Sequence, residues 1–184
     1  MDPAPVMMEI RRLALPAAAH RRAVAAALAH LRPVAEGSQR RVRVDLLDSF
    51  DWRVWAAGFE LRLEQTAVAS RLRLTRRRGA DVVVAPVERT PRTAAELPSG
   101  VISEALAARL APRALLVRGS MRRTDERLRL EDGHGNAAVR LELLCWTPLD
   151  RRERAGAETV HEIRIAPMPG GDEVATAILE ALGA

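Results

Sequence analysis

Charged and aliphatic residues alternate through much of this chain. "RRVRVDLL" at 40–47, "FELRLE" at 59–64, "RLRLT" at 71–75, "ERLRLE" at 126–131, "AVRLEL" at 138–143 and "HEIRI" at 161–165 all follow a period of two. That period is the signature of a β-strand, because residues i and i+2 point to one side of the pleat. Arg41 then shares a face with Arg43, Arg71 with Arg73, Arg127 with Arg129, and Glu60 with Arg62 and Glu64. Glu9 pairs in the same way with Arg11, Arg140 with Glu142, and Glu162 with Arg164. Such a chain is constrained to strands with one apolar face and one face of arginine interspersed with glutamate. A half-buried sheet with a solvated outer face satisfies this pattern. So does a sheet closed with its charged faces inward. There the arginines repel one another unless an anion joins them, and a polyphosphate is the natural occupant.

Composition sharpens the anion reading. All 29 basic side chains are arginine, as codon bias in a GC-rich genome produces. Without lysine there is no Schiff-base amine and no P-loop lysine. Arginine keeps its charge when partly buried and forks onto carboxylate or phosphate. A formal charge of +5 favours an anionic partner. Cys145 is the only cysteine, which excludes an intramolecular disulfide and a thiolate zinc site. Its neighbours Leu144 and Trp146 suggest a buried spectator. No apolar run is long enough to span a bilayer, and "MDPAPVMMEIRR" lacks the pattern of a signal peptide, so a cytoplasmic location is the default.

The periodicities predict eight strands: 8–15, 39–50, 58–65, 70–77, 114–123, 126–132, 137–146 and 159–168. "PAAAHRRAVAAALAHLRP" at 16–33 reads as a helix between two prolines. A second helix falls within 97–115, with Ser99 or Ser103 as its cap, and "DEVATAILEALG" forms a third. The expectation is an α+β chain, a single domain over 1–184. Its eight-stranded antiparallel β-barrel or strongly curved sheet carries about three flanking helices.

"DSFDWRVWAAGFELRLE" at 48–64 holds both phenylalanines and two of the three tryptophans. An aromatic cluster of this kind reads first as core that anchors a turn. The alternative is that Phe50, Trp52, Trp55 and Phe59 stack on a nucleotide base. His20, His30 and His134 read as surface residues, and His161 points away from the face of Glu162. "RRR" at 76–78 reads as a solvated turn, while the register of Arg118, Arg122 and Arg123 stays open.

The same stretch resembles the CYTH superfamily, the triphosphate tunnel metalloenzymes. Asp48, Ser49, Phe50 and Asp51 match its aspartate-threonine-aromatic-aspartate segment, followed by Trp55, Gly58, Leu61 and Arg62. "FDWR", "LPSGVISEALAARLAPRALL", "LEDGHGNAAVRLEL" and "HEIRIAPMPGGDEVATAILEALG" look most like the CYTH-like domain that precedes a CHAD domain in bacterial proteins. The resemblance implies an eight-stranded tunnel whose basic residues grip triphosphate while glutamates hold Mg²⁺ or Mn²⁺. On the first strand Glu9 matches the family's glutamate-x-glutamate-x-lysine, but Arg11 and Leu13 replace its second glutamate and its lysine. On the last strand Glu162 stays and Arg164 replaces its partner, and the arginine-x-arginine motif becomes Arg62 and Glu64.

What the resemblance implies is therefore binding of triphosphate or polyphosphate, with weak or lost metal-dependent triphosphatase activity. The expected phosphate contacts are Arg11, Arg41, Arg43, Arg62, Arg71, Arg73, Arg127, Arg129, Arg140 and Arg164. Glu9, Glu142 and Glu162 are the residual ligands of a depleted Mg²⁺ or Mn²⁺ site. A CHAD domain is the implied protein partner. The rival readings are an active triphosphate or nucleoside-triphosphate hydrolase, a scaffold whose arginines and glutamates pair with one another, and, ranked last, a nucleic-acid-binding module.

Overall fold

The computed structural model describes residues 11–15, 31–79, 81–150, 152–156 and 159–181. Its strands are β1 (Arg11–Leu15), β2 (Arg32–Ala35), β3 (Arg40–Asp48), β4 (Phe59–Gln65), β5 (Ser70–Arg76), β6 (Val82–Pro86), β7 (Leu116–Glu131), β8 (Ala137–Leu149) and β9 (Val160–Pro167). The helices are a single turn α1 (Arg53–Ala56), then α2 (Val101–Leu110) and α3 (Asp172–Ala181), with a 3₁₀ turn at Ala94–Glu96. Strands and helices together make the α+β class that the alternation implied. The sheet path is β1-β9-β8-β7-β3-β4-β5-β6, eight strands long, and β2 pairs with β7 beside it.

Contacts gather the chain into two compact units. The first takes in the described parts of Met1–Arg40, Arg123–Thr147 and Ala157–Ala184. The second is Arg41–Arg122 with Pro148–Gly156. Each has its own core.

In the second unit the core forms where alternate residues of β3, β4 and β5 meet α2. Leu47 stands across from Leu61, Leu61 from Leu74 and Leu63 from Leu72. Ile102, Leu106 and Leu110 recur along α2 at four-residue intervals and close this cluster, all with 1% exposure or less. The helix starts at Gly100, whose φ of 99° suits glycine, and Pro112 follows its end. No serine side chain caps its first turn; Ser103 Oγ donates instead to the Gly100 carbonyl at 3.1 Å. In the first unit Leu141 faces Ile165 and Leu143 faces Ile163, under Ala175, Ile178 and Leu179 of α3. Asp172 and Glu173 occupy the first turn of α3, where the helix dipole favours negative charge.

Several expected boundaries shift. The two strands expected at 114–123 and 126–132 are one continuous β7, which runs through the polar "RTDE" between them. β6 was not expected: "VVVAP" has no polar alternation, yet it pairs along β5. β2 takes Arg32 and Pro33 from the end of the expected first helix, of which residues 16–30 lie outside the described residues. No described helix is long and apolar enough to cross a membrane.

Two substitutions test this packing. Leu72→Ala, at a fully buried site, should cost about 3 kcal/mol in urea unfolding. Gly171→Ala should also destabilise strongly, because a Cβ there would collide with the backbone carbonyl of Ala138.

Candidate functional site

Opposite each apolar face lies the charged face that the alternation required. In the second unit it carries Glu60, Arg62 and Glu64 of β4 with Arg71 and Arg73 of β5, since Arg62 registers with Arg73 and Glu64 with Arg71. Glu64 is 1% exposed and holds two arginines. Arg71 Nε donates to its Oε2 at 2.9 Å, and Arg73 Nε to its Oε1 at 3.1 Å. Arg62 pairs with Glu60. A carboxylate so deeply buried is tolerated because both oxygens accept charged donors.

The first unit repeats this arrangement. Arg127 Nε donates to Glu142 Oε1 at 3.0 Å, and Arg164 Nη1 stands 3.5 Å from Glu142 Oε2. Arg164 Nε also donates to Glu162 Oε1 at 2.8 Å, while Trp146 Nε1 donates to Glu162 Oε2 at 3.1 Å. Arg129 and Arg32 both hold Glu131, at 2.7 and 2.8 Å. Arg140 Nε donates to Glu36 Oε2 at 2.7 Å. The hydrogen bond from Arg129 holds the Glu131 carboxyl below the usual carboxylate range; burial opposes it and Arg32 adds to it.

The expected contacts therefore divide. Arg62, Arg71 and Arg73 come together in one unit, and Arg127, Arg129, Arg140 and Arg164 belong to the charged face of the other. Arg43 lies elsewhere. Its β3 register pairs it with Gln65 and puts Asp45 across from Leu63, so it shares the side of the apolar core. There it bonds Asp45 and Glu153, and Glu153 is the main reason its pKa is raised. Arg41, two residues earlier, is exposed. The first strand is displaced by one residue in the same sense. Arg11 stands across from Ile165, and it is Arg12 that stands across from Arg164. Alternation within a strand cannot show which face is which at its ends; register against a neighbour does.

Glu142 and Glu162 do come together, with Arg164 bonded to both. Glu9 lies outside the described residues. Among those described, no group of three His, Cys, Asp or Glu side chains could hold a metal ion. Mg²⁺ and Mn²⁺ need several free hard oxygens. Of the three expected ligands, the two described carboxylates are already bonded, and the Arg164 guanidinium sits between them.

Other residues depart from expectation. Phe50, Trp52 and Trp55 are exposed at 58%, 40% and 42%, not core. Cys145 is half-buried, not enclosed. Arg123 is buried on the charged side, bonded to Asp125 and stacked 5.1 Å from the Trp146 ring. Arg118 is exposed and lies over Trp52 at 4.4 Å. Glu36, Arg32 and Glu131 were missed as site residues. Glu36 and Arg32 sit in a segment whose pattern read as helix and loop, and only the pairing of β2 with β7 brings them in.

In each unit antiparallel strands turn an apolar side to a helix and arginine–glutamate pairs to the other side, as the CYTH-like fold expected from the sequence would. No family model matches the sequence, and no curated protein matches it. Solved structures do. A Bacillus halodurans protein proposed to be an adenylate cyclase aligns over 96% of this chain and 89% of its own, with a TM-score of 0.60 and 15% identity. A Hippeastrum protein proposed to be an adenylyl cyclase, and described as having a dominant triphosphatase activity, aligns over 96% and 88%, with a TM-score of 0.63 and 15% identity. At that identity the likeness establishes the fold, and function must be argued from the site.

The Glu131 pairing gives a pH test. A folded-state pKa below the unfolded value contributes stability above the unfolded pKa, which is lost as pH falls through the folded one. Stability of the native sequence should therefore drop more steeply than that of Glu131→Gln as the pH falls below the ordinary glutamate range, as measured by urea midpoints.

Proposed function

We propose that this chain binds inorganic triphosphate, or a longer polyphosphate, through the arginines of its charged faces, with weak or lost metal-dependent hydrolysis. One observation carries the reading. Glu64 and Glu131 are each held by two arginines, so each of these groups keeps one positive charge in excess on side chains already ordered by their pairing, while Arg127 and Arg164 are balanced by Glu142 and Glu162. A phosphate chain supplies closely spaced anionic oxygens that match the guanidinium fork. The fold shared with the Hippeastrum triphosphatase supports a triphosphate ligand. The bonding of Arg164 to both Glu142 and Glu162 favours binding over metal-assisted turnover. The resemblance to CHAD-linked domains favours the longer polyphosphates and a CHAD domain as partner.

Binding on this model is an exchange: an arginine released from glutamate goes to phosphate. The arginines do the work of orientation and charge neutralisation that electrostatic catalysis also requires. An active hydrolase of triphosphate or nucleoside triphosphate is the second reading, and the triphosphatase activity described for the Hippeastrum relative is what favours it.

Calorimetry with tripolyphosphate separates these readings. Saturable heat should survive excess chelator. Arg73→Ala should weaken binding about tenfold, the loss of one charge-assisted contact of about 1.4 kcal/mol. Glu64→Gln should lower stability yet tighten binding, because Arg71 and Arg73 lose their competing carboxylate. Sustained heat that requires Mn²⁺ would instead establish the hydrolase. No heat under any condition would leave a self-paired scaffold.

A further inference from the structure

The turn between β3 and β4 lies away from the charged face of its unit. Ser120 Oγ donates to Asp45 Oδ1 at 2.6 Å, and Asp45 registers with Leu63 on the core side. Arg118, two residues before Ser120 on β7, points the same way and covers the ring of Trp52. This turn concentrates the exposed aromatic surface of a chain that has only two phenylalanines, three tryptophans and no tyrosine. Phe50, Trp52 and Trp55 all face solvent, and Leu116 is 42% exposed.

Two features separate this patch from ordinary surface. First, it is held rigid. The buried Asp48 carboxylate accepts the backbone N–H groups of Ser49, Val54 and Trp55 at 2.7, 2.9 and 3.0 Å. Ser49 Oγ donates to Asp51 and accepts from the Arg53 N–H, and Arg53 Nη1 reaches the carbonyls of Arg109 and Ala111. Trp52 is fixed in the left-handed region at φ 57°, a conformation a bulky side chain rarely adopts. Second, each exposed ring carries a guanidinium: Arg113 at 5.0 Å from Phe50, Arg118 at 4.4 Å from Trp52 and Arg77 at 3.3 Å from Trp55. Among the described residues neither Arg77 nor Arg118 has a carboxylate partner, whereas the arginines of the charged faces do.

The ligand that satisfies this surface must offer flat apolar rings and anionic groups in alternation. An acidic peptide or inorganic polyphosphate would neutralise the arginines and leave the rings wet. A purely apolar protein surface would cover the rings and bury unpaired charge, which is costly. Nucleobases stack on aromatic rings and on guanidinium planes alike, and phosphates take the remaining donors. Basic charge alone was weak ground for nucleic acid; the exposed rings add the component that was missing. We propose that the turn at residues 48–58, with Arg77, Arg113 and Arg118, is a docking surface for single-stranded nucleic acid, independent of the arginine–glutamate faces.

The test is fluorescence anisotropy of a labelled 12-nucleotide oligodeoxythymidylate at low salt, with circular dichroism confirming that each variant is folded. The native sequence should bind, and its affinity should fall linearly in a log–log plot against salt. Trp52→Ala and Trp55→Ala should each weaken binding about tenfold, and Trp52→Phe should restore most of it. Binding should persist in saturating tripolyphosphate. Failure to bind, or equal binding by the folded tryptophan variants, would overturn the proposal. So would displacement by tripolyphosphate, or equally tight binding of an oligoglutamate of the same charge. A native dimer that Trp52→Ala dissociates, seen by sedimentation, would make the surface a contact between two copies and would also overturn it.

Discussion

Guanidinium–carboxylate pairing is the interaction on which this structure depends. Strands that alternate arginine with leucine cannot bring their charged faces together unless something lowers the repulsion. Glu64 does so for Arg71 and Arg73, Glu142 for Arg127 and Arg164, and Glu131 for Arg32 and Arg129. Desolvation makes such pairs poor sources of net stability. The aliphatic side chains on the reverse of the same strands supply the driving force, each buried leucine contributing about 2 kcal/mol. The pairs allow the sheet to form, and the leucines hold it.

That division also shapes the chemistry. Arginine does not lose its proton in any ordinary pH range, so these faces keep their cations and change charge only when a carboxylate titrates. Arg164 is the telling case. It lies where two glutamates converge and binds both, so the positive charge there is covalently part of the chain. The proposed binding of a polyanion rests on charge of this permanent kind.

Much of this was legible in the sequence. The alternation gave the strands, their faces and most of the arginines that share a face, because both periodicity and charge are local properties. The resemblance through "DSFDWRVWAAGFELRL" gave the fold. What stayed illegible depends on pairing between distant segments. Arg43 fell on the core side because β3 registers with β4 that way. Glu36 and Arg32 entered the charged face through β2, a strand too short to show a period. The aromatic turn was misread for another reason. A cluster of large rings in an aromatic-poor chain looks like core, and no local pattern reveals that its backbone turns them outward.

Trp52 shows what that outward turn entails. Its left-handed backbone costs an L-residue roughly 1–2 kcal/mol, and glycine would bear no such penalty. A folding criterion alone would place glycine there, as it does at Gly58 six residues on, where φ is 82°. The turn that carries the indole is instead held by Asp48, which accepts the Ser49, Val54 and Trp55 N–H groups, and by the Ser49 carbonyl, which accepts the Trp52 N–H. At this position the chain is more strained than a glycine would be, and the residue that bears the strain carries an exposed ring.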